Sequence, residues 1–242
     1  MQKRLRGGKS MRNESAIKKT DYKGKLFSIM GDSLSTFAGV TPEEFGVFYD
    51  TFRKYDADII TVEETWWGRV IQVLGGELLF NNSWSGSLVC KHPDCTVESY
   101  GSSDKRTSSL GKDGKSPDVI MVYIGTNDCG YRMRIYPEPG QENDISVFSV
   151  AYDTMLRKIQ KNYPNAEIWC FTLAVSEHRS EANVKRLSDY SCAIKKCADE
   201  NGCRLIDVYQ PDHPYETIDD LHPDSRGMKR IADRTLEELG LL

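Results

Sequence analysis

The run Val119-Ile120-Met121-Val122-Tyr123-Ile124 constrains this chain more than any other stretch. After Asp118 it is apolar at every position, so as a strand it has no face to give to water and belongs inside a sheet covered on both sides. Four other runs of strand character accompany it, at 26–30, 77–82, 168–173 and 203–208. Between them apolar residues recur at helical spacing: Trp66, Trp67, Val70, Ile71 and Leu74; then Phe148, Tyr152, Met155, Leu156 and Ile159. The sets Val184, Leu187, Tyr190, Ile194, Cys197 and Met228, Ile231, Ala232, Leu236, Leu239 follow the later strands. Strands alternating with helices predict an α/β fold, a five-stranded parallel sheet with helices on both faces.

A chain of 242 residues is long enough for one substantial core, and the reading is a single domain over 21–242 preceded by a flexible basic tail over 1–20. That tail carries Lys3, Arg4, Arg6, Lys9 and Arg12 and no apolar h-region, so it is not read as a secretory signal. A net charge of −4 and the lack of an 18-residue apolar run give no reason to expect a nucleic-acid or membrane partner. Seven cysteines, an odd number, suggest reduced thiols and a cytoplasmic location. Cys90, His92 and Cys95 have no second Cys/His pair nearby, so no metal is expected there.

Several segments read as connections. Residues 36–60, aromatic and interrupted by Gly39, Pro42 and Gly46, form a surface excursion able to wall a cleft. Thr61 and Glu64 fit a capping box opening the helix that Gly75-Gly76 closes, with Trp66 and Trp67 in the core. Residues 91–117 are polar without an apolar period and read as a long loop, as does 129–144. Gly111 to Ser116 superficially resembles a phosphate-binding loop, but no strand precedes it. The sequons at Asn13 and Asn81 are read as incidental.

Ser33, Gly86 and Asn127 each lie just past a strand, and Asp219 and His222 lie past the last one. In a parallel sheet those carboxyl ends share one edge, where ligands bind. A serine hydroxyl needs an adjacent base, and imidazole is the best-matched side chain. The imidazole in turn needs a carboxylate to fix its tautomer. Asp219, three residues before His222, can turn back to it, and Asp220 is an alternative. His213 is a rival base, and His178 a cleft-rim residue. The N–H groups of Ser33 and Gly86 and the amide of Asn127 can serve an oxyanion. Asp32 is read as fixing the serine's turn and Asp128 as a turn former. Gly86 is taken to be glycine because a side chain there would block the cleft.

Gly31-Asp32-Ser33-Leu34, Gly86 after Asn-x-Ser-x, Gly125-Thr126-Asn127-Asp128 and Asp219-x-x-His222, in that order, resemble the four blocks of the SGNH/GDSL hydrolases. The resemblance implies a flavodoxin-like three-layer α/β/α fold and a serine esterase without metal or organic cofactor. By position it makes Ser33 the nucleophile, His222 the base, Asp219 its orienter, and Ser33, Gly86 and Asn127 the oxyanion hole. No Gly-x-Ser-x-Gly elbow occurs, which disfavours the α/β-hydrolase superfold. The expected substrate is a small-molecule or carbohydrate ester with a short acyl chain, acetylated sugar foremost, against a cleft holding Trp84, Tyr131, Arg132 and Tyr136. The alternatives are an acyltransferase to a sugar hydroxyl and a non-catalytic carbohydrate-binding module.

Overall fold

A computed structural model describes residues 18–52, 57–93 and 98–242. Its five strands are β1 (Leu26–Gly31), β2 (Glu77–Ser83), β3 (Val119–Tyr123), β4 (Glu167–Phe171) and β5 (Arg204–Ile206). All neighbours pair in parallel in the order β2-β1-β3-β4-β5. That is the flavodoxin-like order, and its direction reverses between β1 and β3. Every residue of β3 is buried, as its unbroken apolar run demands.

The helices are α1 (Trp66–Leu74), α2 (Asp104–Ser108), α3 (Thr126–Tyr131), α4 (Phe148–Asn162), α5 (Glu181–Glu200) and α6 (Ser225–Glu238). α1 packs with α6 and α4 with α5, so the sheet is the middle of three layers. Trp66 and Trp67 are fully buried, as expected of core residues. Their indoles also hold the turn after β1: Trp66 Nε1 donates to Ser35 Oγ at 3.1 Å and Trp67 Nε1 to Ser35 O at 3.0 Å.

Three local expectations need correction. Thr61 N–H does donate to Glu64 Oε2, at 3.0 Å, but this closes a 3-10 turn at Val62–Glu64. The α-helix proper is capped by Thr65, whose hydroxyl accepts from Gly68 N–H at 3.0 Å. The polar stretch 91–117 is not wholly loop: Ser103 caps α2, and Arg106 within it is only 1% exposed. The stretch 129–144 likewise begins inside α3. Five or six residues are too few to show a helical period, which is why the pattern missed both helices.

The expected tail lies outside the described residues up to residue 17, and the described chain begins at Lys18 with a 3-10 turn at Lys19–Tyr22. Asn13 and Cys95 are likewise outside them; Asn81 is buried and its amide donates to Ser35 O at 2.8 Å. Among the described residues no group of His, Cys, Asp and Glu could hold a metal ion, and no helix is long and apolar enough to cross a membrane.

Candidate active site

β1 delivers Ser33 through a tight turn. Gly31 is glycine because a Cβ there would lie 2.8 Å from Ser35 Cβ and 2.9 Å from Ser83 Oγ. Asp32 then caps a 3-10 turn at Ser33–Ser35, with Leu34 N–H donating to its Oδ1 at 3.1 Å. This is the turn-fixing role expected of Asp32. Its other oxygen, Oδ2, is buried without a hydrogen-bond partner, and burial raises the carboxyl to about 7.

The loop between β5 and α6 brings the imidazole to that turn. His222 Nε2 lies 2.9 Å from Ser33 Oγ. On the other side of the ring Nδ1 is 2.8 Å from Asp219 Oδ2. The same carboxylate accepts His222's backbone N–H at 2.8 Å and Leu221 N–H at 3.2 Å, so Asp219 sets both the loop and the ring. Asp220, its alternative, has φ +65° and a backbone carbonyl that accepts from Ser176 Oγ. Of the other histidines considered, His213 is exposed in a groove along α6, and His178 is exposed beside Glu177.

Burial shifts the His222 imidazole below its ordinary 6.5, and the hydrogen bond and charge of Asp219 offset only part of this. Burial alone would raise the Asp219 carboxyl, but the bonds from His222 and its charge outweigh it and the net shift is downward. The pair is therefore poised as a neutral imidazole beside a carboxylate near neutral pH.

β2 and β3 bring Gly86 and Asn127 to the same edge. Gly86 has φ +73°, and a Cβ on it would meet no atom within 4 Å. The left-handed backbone by itself favours glycine there. Asn127, in the first turn of α3, donates one Nδ2 proton to Ser87 O at 3.0 Å and keeps the other free. Asp128 is more than a turn former: its buried carboxylate accepts Val89 N–H at 2.8 Å and Cys90 N–H at 3.0 Å. Consecutive residues of α3 thus tie down the segment that follows Gly86.

Two residues of the site carried no sequence signal. Phe48, from the excursion over 36–60, stacks on the His222 ring. Its backbone N–H is held by Thr36 Oγ1 at 3.0 Å, while Tyr49 Oη donates to Pro223 O at 2.9 Å. Arg106 lies beneath the site and donates to Asn82 Oδ1 at 2.6 Å, Asn82 O and Ser87 Oγ at 2.7 Å, Gly31 O at 3.0 Å, and Ser99 O. Those bonds use all five guanidinium protons and join the ends of β1 and β2 to the loop after Gly86. Elsewhere in the excursion Phe45 stacks on Trp84 with centroids 4.3 Å apart.

A doubly wound parallel sheet with a Ser–His–Asp chain at its switch point defines a class of hydrolase, distinct from those built on a nucleophile elbow. The chain matches the GDSL-like Lipase/Acylhydrolase family over residues 25–239 and belongs to that family of ester-bond hydrolases. It is similar to a candidate GDSL-like lipase from Bacteroides uniformis ATCC 8492, with 28% identity over 90% of this chain and 97% of that one, at a TM-score of 0.69. A second, from Bacteroides ovatus ATCC 8483, shows 24% identity over 88% and 96% of the two chains at a TM-score of 0.68. The fold is also shared with a family two carbohydrate esterase from Clostridium thermocellum, solved in complex with cellohexaose: 16% identity, 91% of this chain and 66% of that one, TM-score 0.58. Curated protein sequences gave no match.

Proposed function

We propose that the protein is a serine esterase that cleaves short-chain carboxylic esters, acetylated carbohydrates in particular, through an acyl-enzyme. The observation that carries this reading is the continuous line from Asp219 Oδ2 through the imidazole to Ser33 Oγ, with contacts of 2.8 and 2.9 Å. Ser33 Oγ attacks the acyl carbon as its proton passes to His222 Nε2. The imidazolium then gives that proton to the departing alkoxide, and Asp219 stabilises the charge on the ring between the two steps. Water, deprotonated by the same imidazole, releases the acid and frees Ser33. The N–H groups of Ser33 and Gly86 and the free Nδ2 proton of Asn127 serve the oxyanion.

The carbohydrate part is supported by Tyr131 and Arg132 of the four expected cleft residues, which line a cavity that Trp84 and Tyr136 do not, and by the fold shared with a carbohydrate esterase. A cytoplasmic location is supported by six free cysteines among the described residues. The single-domain reading is supported by one continuous hydrophobic cluster running from Tyr22 to Leu239.

The test is covalent. A fluorophosphonate should label the protein on the peptide containing Ser33, and Ser33→Ala should lose both the label and hydrolysis of p-nitrophenyl acetate. Turnover by Ser33→Ala at the wild-type rate rejects the mechanism.

A further inference from the structure

A cavity of about 510 Å³ opens between α3, α5 and the loop carrying Asp219, with neither Ser33 nor His222 in its wall, a volume ordinary for a small-molecule site. Asn127 and Asp219 form its catalytic side. Three arginines, Arg132, Arg179 and Arg186, line the rest.

Their state sets them apart. Arg179 Nε donates to Ser176 Oγ at 2.7 Å and Arg186 Nη1 to Asn183 Oδ1 at 3.0 Å, both neutral acceptors. Among the described residues none of the three forms an ion pair. The groove along α6 shows what structural arginines do in this chain. There Arg226 pairs with Asp224, Arg230 with Glu216, Arg234 with Glu237, and Lys229 with Asp233. The two carboxylates in the cavity, Asp219 and Asp220, do not cancel its three guanidinium groups, which leave a net positive charge.

A guanidinium with unused donors in a concave site is built to take an oxyanion in a forked, charge-assisted arrangement. Exposed Tyr131, on the same wall, offers an aromatic face for a sugar ring.

We propose that this cavity receives the alcohol part of the ester and selects alcohols that bear an anionic group, an acylated sugar acid or sugar phosphate in preference to a neutral sugar. Arg132, Arg179 and Arg186 hold the oxyanion while the acyl group faces Ser33. This rests on the esterase reading for the placement of the acyl group, but the anion preference can be measured without turnover.

The decisive comparison is kcat/KM for acetylated methyl glucuronoside against acetylated methyl glucoside. The anionic ester should be preferred by at least about tenfold, the scale of one charge-assisted bond. The preference should shrink as salt is raised. It should collapse toward one in Arg186→Gln and in Arg179→Gln. A ratio near one in the wild type, or one that survives both substitutions, overturns the proposal.

Binding to Ser33→Ala separates the two readings. Glucuronate or glucose 6-phosphate should bind more tightly than glucose and lose that advantage in Ser33→Ala/Arg186→Gln. The tighter of the two anions identifies carboxylate or phosphate as the group recognised. Anion binding without fluorophosphonate labelling leaves the cavity's assignment standing and removes the esterase reading. Labelling with no anion preference does the reverse.

Discussion

Phe48 lies flat against the imidazole of His222, with ring centroids 3.6 Å apart and planes 11° from parallel. The contact covers one face of the ring whose two nitrogens are already committed to Ser33 and Asp219, so the excursion over 36–60 completes the histidine's surroundings. Phe48 is a positioning residue, and removing it should act on both geometry and proton affinity. Phe48→Ala should lower kcat/KM by roughly 2- to 12-fold, the equivalent of an aromatic pair worth about 0.5–1.5 kcal/mol. It should also move the acid limb of the pH profile upward, because burial is what depresses the imidazole. Phe48→Tyr should keep the wild-type limb. A rate loss with an unmoved limb would reduce Phe48 to packing.

The pH profile of the wild type follows from the same shift. Activity needs the neutral imidazole, and its pKa lies below the ordinary 6.5. Hydrolysis of p-nitrophenyl acetate should therefore be more than half of its plateau at pH 6.5 and reach the midpoint of its fall only in more acidic buffer. Asp219→Asn should cost up to about 10⁴-fold in kcat by giving the ring the wrong tautomer, with Asp220→Asn costing far less. An equal loss in the two variants would contradict the Asp219 geometry.

Asn127 has one amide proton committed to Ser87 O and one free. If the free proton meets the oxyanion, Asn127→Ala should lower kcat by about 10²–10³-fold with a much smaller change in KM. A loss of only a few-fold would remove Asn127 from the hole.

The parts of this fold legible in the sequence are those whose signal is local. β3 announces itself by six apolar residues in a row, Ser33 and Asn127 by standing just past strand-like runs, and His222 by its spacing from Asp219. β5 is shorter than the strand-like run over 203–208 because pairing with β4 covers only Arg204 to Ile206. Asp219 and Asp220 were indistinguishable as letters; the choice is made by the turn that closes between Thr217 and Pro223. Phe48 and Arg106 were illegible for a different reason. Each acts across the fold, Arg106 reaching Gly31 from 75 residues away, and nothing in their own neighbourhoods marks them.

Arg106 is the test of how far the buried framework supports the site. Burial presses its guanidinium down to about 9, yet with five acceptors around it the group stays charged near neutral pH. Arg106→Met strands several buried acceptors at the ends of β1 and β2. The variant should lose at least about 3 kcal/mol of stability, read from the urea midpoint. A loss under about 1 kcal/mol would show that water replaces the guanidinium without difficulty.

Asp32, next to the nucleophile, should make stability depend on pH with a definite sign. Burial raises its carboxyl from the ordinary 3.8 to about 7, with Asp128 raised to about 6 for the same first cause. The folded protein therefore holds protons that the unfolded chain has released between these limits. The resulting contribution to stability is fully present below about pH 4 and is lost as pH rises toward 7. Asp32→Asn keeps an acceptor for Leu34 N–H and has no proton to lose, so it should gain on the wild type as pH is raised. The measurement is the difference in unfolding free energy between variant and wild type at pH 5 and at pH 8, which cancels the titration of groups not coupled to Asp32. A difference that is constant between the two pH values would mean that Asp32 is ionised throughout, held by the charge of Arg106.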